Sequence, residues 1–178
     1  RLISANAVSN AVMLLLQIDS LFQQMKHSLR NGCAHEKKVN YLTLNSLHRN
    51  NGMALYIGLM SGTSMDGIDA ALVEFSAGDD QPRLIATHAR SWPEHLVHRL
   101  HTICTPGENE IDQMGELDQK VAEEFAFAVN DLLQIAGIPK EEICAIGSHG
   151  QTIRHRPELG FTRQIVSGAR LAAMTDID

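Results

Sequence analysis

A chain of 178 residues is long enough for one domain with a sizeable core, or for one domain with an appendage. Its net charge of −6 argues against a nucleic-acid partner, since a phosphate backbone calls for a concentrated basic surface. The three cysteines, Cys33, Cys104 and Cys144, form no CxxC pair, which argues against zinc and disulfide frameworks and fits a reducing, cytoplasmic setting.

Residues 1–52 differ in character from the rest, being rich in Asn, Ser, His and Gln. Leu14, Leu15, Ile18, Leu21, Phe22 and Met25 fall at helical spacing and predict a helix over residues 4–29. The apolar run Ala11-Val12-Met13-Leu14-Leu15-Leu16 breaks at Gln17, too soon to span a bilayer. With Arg1 as its only preceding charge it does not have the pattern of a signal peptide, so no membrane partner is expected.

Strands are predicted over residues 54–59 and 70–76, on either side of a polar connection that includes Gly62, Thr63, Ser64, Met65, Asp66, Gly67, Ile68 and Asp69. Glycines permit close backbone approach and positive φ. Hydroxyls and backbone N–H groups can line a concavity for phosphate oxygens, while a nearby aspartate can hold Mg²⁺ directly or through water. An ordinary surface hairpin has the same turn composition, so this segment alone leaves both readings open.

After a turn at residues 77–82, a third strand is expected over residues 83–90. Leu96, Leu100 and Ile103 share one face of a predicted helix over residues 94–104, ended by Pro106-Gly107. Ile111, Met114, Leu117, Val121, Phe125, Ala128 and Leu132 recur every three or four positions and predict a long amphipathic helix over residues 110–136, closed by Gly137 and Pro139. A short buried strand is expected over residues 142–147. Three antiparallel strands, helix and strand form the opening of a ribonuclease-H-like α/β domain, the repeating half of the actin-like superfamily.

Ser148-His149-Gly150-Gln151-Thr152 reads as a loop after that buried strand, where open α/β sheets present ligand groups. His149, Gln151 and Thr152 offer hydrogen bonds suited to sugar hydroxyls. Arg154, His155 and Arg156 suit either an anion or a solvated basic turn. No second His, Cys or carboxylate stands at ligand spacing from His149, which argues against a protein-held metal there. Cys104 and Cys144 lie in apolar surroundings and read as core packing. A further strand over residues 160–165 and a helix over residues 169–174 complete the chain.

Two strings carry a resemblance. Met60-Ser61-Gly62-Thr63-Ser64-Met65-Asp66-Gly67-Ile68-Asp69 resembles the N-terminal signature of the anhydro-N-acetylmuramic acid kinases, members of the actin, hexokinase and Hsp70 superfamily. Ile146-Gly147-Ser148-His149-Gly150-Gln151-Thr152-Ile153-Arg154-His155-Arg156-Pro157 resembles a second family segment at a compatible distance. The resemblance runs from Met53 to the C-terminus and corresponds to about the first third of a family member. It implies ATP-dependent phosphorylation of 1,6-anhydro-N-acetylmuramic acid, with water opening the anhydro ring to give N-acetylmuramic acid 6-phosphate and ADP in peptidoglycan recycling. ATP and Mg²⁺ are the implied cofactors, an amino sugar the implied substrate, and the full-length enzyme a cytoplasmic homodimer.

On this resemblance Gly62, Thr63, Ser64, Met65, Asp66, Gly67, Ile68 and Asp69 bind the nucleotide phosphates, and His149, Gln151, Thr152 and Arg154 bind the sugar. The family's catalytic aspartate, second phosphate motif and adenosine segment fall further along, so the expectation is an incomplete and inactive piece. Met53 stands where family members begin, and residues 1–52 are expected to be an extension. Gln164-Ile165-Val166-Ser167 departs from the family's Gln-Ile-Gly-(Asp/Asn), which questions the local turn. Two other readings compete: a non-catalytic relic or binding module, and another actin-superfamily sugar kinase.

Overall fold

The computed structural model describes residues 53–76 and 83–178. The helix expected over residues 4–29 and the turn expected at residues 77–82 lie outside the described residues. The elements are β1 (Met53–Ser61), β2 (Ile68–Ser76), β3 (Arg83–Arg90), α1 (Glu94–Ile103), α2 (Glu110–Ala136), β4 (Ile143–Arg156), β5 (Phe161–Ile165) and α3 (Gly168–Thr175). They form one five-stranded sheet in the order β3-β2-β1-β4-β5.

The topology follows from the connections. Short links make β1, β2 and β3 successive antiparallel neighbours. The pairing of β1 with β4 is parallel, and a parallel pair needs a long crossover, which α1 and α2 supply. This is the mixed α/β arrangement expected of an actin-like N-terminal domain, and all three helices contribute to one apolar cluster with the sheet.

Alternation along the strands selects what faces the helices. Ile57 and Leu59 of β1 and Ile68, Ala70 and Leu72 of β2 join that cluster, whereas Ala71 and Val73 form a separate one with Met60 and Phe75 packed on it. From α2, Leu117, Val121, Phe125, Val129 and Leu132 fill the same core at intervals of three and four. The predicted stripe included Ile111, but that side chain is 80 % exposed. It stands in the first turn of α2, where the core-facing stripe has not yet begun. At the other end Gly137 takes φ 66° and donates its N–H to Gln134, the left-handed cap that ends helices without a Cβ penalty.

Two boundaries differ from expectation, both beside the candidate site. Ile68 and Asp69 belong to β2, so the polar connection is residues 62–67. More consequentially, β4 continues for 14 residues through the stretch read as a loop. Its polar composition suggested exposure, but its backbone is paired on two sides in succession. It pairs with β1 as far as Gln151 and with β5 from Gln151 to Arg156. Arg154, His155 and Arg156 therefore lie in a strand; the turn is Pro157–Leu159, closed by Gly160 at φ 75°.

Ion pairs tie α2 to its surroundings. Arg90 of β3 bonds Glu124 and Asp131, Arg170 of α3 bonds Glu123, Arg99 of α1 bonds Glu116, and Arg154 of β4 bonds Glu110. Hydrogen bonds from Arg154, Arg99 and Lys120 hold the carboxyls of Glu110, Glu116 and Glu123 below their ordinary range. A depressed carboxylate pKa stabilises the fold above the unfolded value of about 4.3, and that contribution is lost as pH falls through the folded value. The melting temperature is thus expected to fall on acidification below about pH 4, and the triple Gln variant at these positions to flatten that decline. Each pair is solvent-screened, so the single Gln variants should each shift it only slightly. A triple variant with an unaltered acid limb would refute the assignment.

Candidate functional site

The site is built on the end of β1. Ser61, the last residue of the strand, is 1 % exposed. Its Oγ donates to the carbonyl of Gly67 at 2.9 Å and accepts from Trp92 Nε1 at 3.1 Å. One hydroxyl thus draws the two ends of the connection together. Trp92 lies between β3 and α1, and its ring packs on Phe125 of α2 with centroids 5.9 Å apart. The base of the hairpin is in this way fastened to the helical core.

Inside the loop, the Met65 N–H donates to Gly62 O at 3.1 Å, closing a turn. The positive φ expected of a glycine belongs instead to Met65, at 56°, while Gly62 and Gly67 lie outside that region. Met65 is 4 % exposed, so burial of its side chain offsets the backbone cost. Gly67 is needed for close approach, though to protein: a Cβ there would stand 3.1 Å from the carbonyl oxygen of Arg90 on β3. A Cβ on Gly62 would make only ordinary contact, 3.4 Å from Ser64 Oγ.

The predicted phosphate residues therefore divide into two sets. Thr63, Ser64 and Asp66 are exposed and Gly62 is half-buried. Met65 and Ile68 belong to the core and offer a ligand no more than their backbone. Asp69 is half-buried, in register with Met60 of β1 and Ala89 of β3, and its place in the strand alternation is opposite to Ile68 and Ala70.

The parallel pairing of β1 with β4 brings the second segment to this hairpin. Ser148 is in register with Leu59 and Gln151 with Ser61, with a shift between them. Gly150 sits at that irregularity with φ 73°. Its N–H donates to Ser148 Oγ at 3.2 Å, and its carbonyl lies 3.3 Å from Nδ1 of the half-buried His149. Gln151 is 0 % exposed, and its Nε2 donates to Gly62 O at 3.3 Å and to Thr152 O at 3.1 Å. Gln151 and the hairpin, far apart in sequence, are thereby joined directly.

Thr152 is half-buried and faces Gln164 across the β4–β5 ladder. Arg154 is committed elsewhere, with Nη2 donating to Ile103 O at 3.1 Å and to Glu110 Oε1 at 2.8 Å. It binds the end of α1 to the start of α2. The half-buried Cys104 donates to Leu100 O, and burial pushes its thiol pKa up, which leaves it an inert packing residue as expected.

Ser61 and Trp92 are the residues that sequence reasoning missed. A signal for Trp92 existed, since a buried indole N–H requires an acceptor; nothing in the sequence names that acceptor. Among the described residues no group of three or more His, Cys, Asp or Glu side chains could hold a metal ion. A divalent cation here would need oxygens from its ligand beside a carboxylate, the usual way Mg²⁺ accompanies phosphates. Among the described residues no helix is long and apolar enough to cross a membrane.

Comparison with known proteins gives a consistent result. A family model described as anhydro-N-acetylmuramic acid kinase matches residues 54–178. The chain is 56 % identical over 127 residues to a protein of that name from Shewanella sp. (strain ANA-3), covering 70 % of this chain and 34 % of the relative. Identity is 55 % to the protein from Shewanella baltica (strain OS223) and 54 % to that from Shewanella amazonensis, over the same length and shares. The chain thus spans 34 % of the length of these relatives.

Proposed function

The chain belongs to the anhydro-N-acetylmuramic acid kinase family, and from that premise we propose that residues 62–67 cradle the phosphates of ATP. The enzyme to which they contribute phosphorylates 1,6-anhydro-N-acetylmuramic acid while water opens the anhydro ring, giving N-acetylmuramic acid 6-phosphate and ADP in peptidoglycan recycling. The observation that carries this reading is the contrast within the hairpin. Thr63, Ser64 and Asp66 are exposed, whereas Ser61, Trp92 and Gln151 hold the same loop from beneath.

Phosphoryl transfer asks little covalent chemistry of a protein and much positioning. Donors fixed before the ligand arrives need no reorganisation as charge shifts, which is why a braced loop suits the task better than a mobile one. The hydroxyls of Thr63 and Ser64 fit phosphate oxygens. Asp66 and Asp69 would meet Mg²⁺ through water, and bound Mg²⁺ would neutralise charge developing on the transferred group. His149 and Thr152 on β4 are assigned to the sugar. Gln151 is assigned to support because its amide N–H groups are already engaged, and so is Arg154, whose Nη2 bridges Ile103 O and Glu110 while its buried Nε has no hydrogen-bond partner. A cytoplasmic, homodimeric enzyme and a domain boundary at Met53 belong to the same proposal, the boundary being supported by a family match that starts at residue 54.

Mg-ATP binding, followed through the fluorescence of Trp92, tests the reading. Thr63→Ala, Ser64→Ala and Asp66→Ala are each expected to weaken binding about tenfold, equivalent to roughly 1.4 kcal/mol. All three side chains are exposed, so folding should be unaffected. Equal affinity in well-folded variants would remove the hairpin from the nucleotide site.

A further inference from the structure

We infer that Gln151 is a positioning residue for the phosphate hairpin, which fixes the Gly62–Thr63 peptide plane so that the Thr63 N–H is aimed at the bound phosphate. The inference rests on the nucleotide reading above and assigns one donor within it.

The geometry begins with a carbonyl. Gly62 O accepts from the Met65 N–H at 3.1 Å and from Gln151 Nε2 at 3.3 Å, so it is held from within the loop and from β4. In a trans peptide the carbonyl and the following N–H point in opposite directions. Fixing Gly62 O toward Gln151 therefore turns the Thr63 N–H the other way. Thr63 and Ser64 are exposed there, and an anion on that side would meet a backbone donor flanked by two hydroxyls.

The orientation of the Gln151 amide is dictated by its surroundings. Its NH₂ end faces two carbonyl oxygens, Gly62 O and Thr152 O. Turning the amide over would set Oε1 against both. The consequence is visible at the other end, where Oε1 is buried with no hydrogen-bond partner. An unpaired buried acceptor is destabilising, and a methionine or leucine of similar volume would avoid it. The carboxamide at this position thus works against stability while holding one carbonyl of the hairpin in place. A stability role alone does not account for that choice.

Amide exchange and Mg-ATP affinity on the 178-residue chain test the inference, with Gln151→Met and Gln151→Leu as variants. Methionine and leucine both remove the donor at similar volume and add no group that could replace it. Without ligand, both variants should accelerate exchange of the Met65 N–H at least tenfold, leaving the β1–β2 ladder amides unchanged. Mg-ATP should bind at least tenfold more weakly, and the Thr63 amide resonance, which should shift downfield on Mg-ATP addition to the parent chain, should not do so in the variants. Unchanged Met65 exchange in either variant would overturn the positioning role. Accelerated exchange with unchanged ATP affinity would show that the tie does not serve phosphate binding and would overturn the inference as well. A parent chain that holds Met65 but leaves Thr63 unmoved by Mg-ATP would instead overturn the nucleotide reading. Should Gln151→Met not fold, Gln151→Leu carries the same measurements.

Discussion

Gly150→Val is expected to destabilise the domain by about 2–5 kcal/mol, a large share of the stability of an ordinary small domain. Two costs act together at this position. Gly150 has φ 73°, a conformation in which a β-branched side chain is a true outlier. Space is the second limit, because even a bare Cβ would lie 2.9 Å from the carbonyl oxygen of Ile165 and 3.1 Å from Val166 Cγ1. The nearest of these atoms is backbone of β5, held in the β4–β5 ladder, so it cannot yield as a flexible side chain would. Gly160→Ala separates the two costs, since Gly160 has φ 75° but a Cβ there meets nothing within 4 Å. Alanine at position 160 should therefore cost only about 1 kcal/mol, and alanine at position 150 distinctly more. Urea unfolding of the three variants provides the check. Equal losses at positions 150 and 160 would show that the close approach of β5 does not constrain Gly150.

Trp92→Ala should be comparably severe, at about 3–5 kcal/mol, because a large side chain only 7 % exposed leaves a cavity between the hairpin and α2. Trp92→Phe separates packing from hydrogen bonding. It keeps an aromatic ring against Phe125 but removes the donor to Ser61 Oγ, for an expected loss of about 1 kcal/mol. The loss should also reach the hairpin. With its anchoring bond gone, Ser61 is free to rotate and its bond to Gly67 O weakens, so amide exchange across residues 62–67 should quicken while the core of α2 stays protected. A Phe variant with unaltered hairpin exchange would show that Trp92 only fills space.

Both variants act on residues whose importance lies in the spatial neighbours they acquire. Gly150 is one of several glycines in the sequence, and its demand for hydrogen in place of a side chain arises from Ile165 at the end of β5 and Val166 just after it. The extension of β4 has the same origin. Ser148, His149, Gln151 and Thr152 are polar and read as a loop, but pairing with β1 and then β5 satisfies their backbone as a strand. Composition reports what side chains prefer. It does not report which backbone groups will find partners across a sheet.

The amino-acid sequence by itself determined the α/β class, the antiparallel opening, the two main helices and the place of the hairpin. These rest on local periodicity, turn chemistry and strings of residues, all of which act over short separations along the chain. It also determined the family, through two strings that retain their meaning wherever the fold places them. Only the tertiary structure decided how the hairpin is held. The bonds from Trp92 to Ser61, from Ser61 to Gly67 and from Gln151 to Gly62 join the hairpin connection to β1, to β4 and to the segment before α1. It likewise separated Thr63, Ser64 and Asp66, which are exposed, from Met65 and Ile68, which are buried, and gave Arg154 to the helix ends. The physical reason is common to all of these: a buried hydrogen-bonding group takes its role from the partner that reaches it, and that partner is chosen by strand register and core packing.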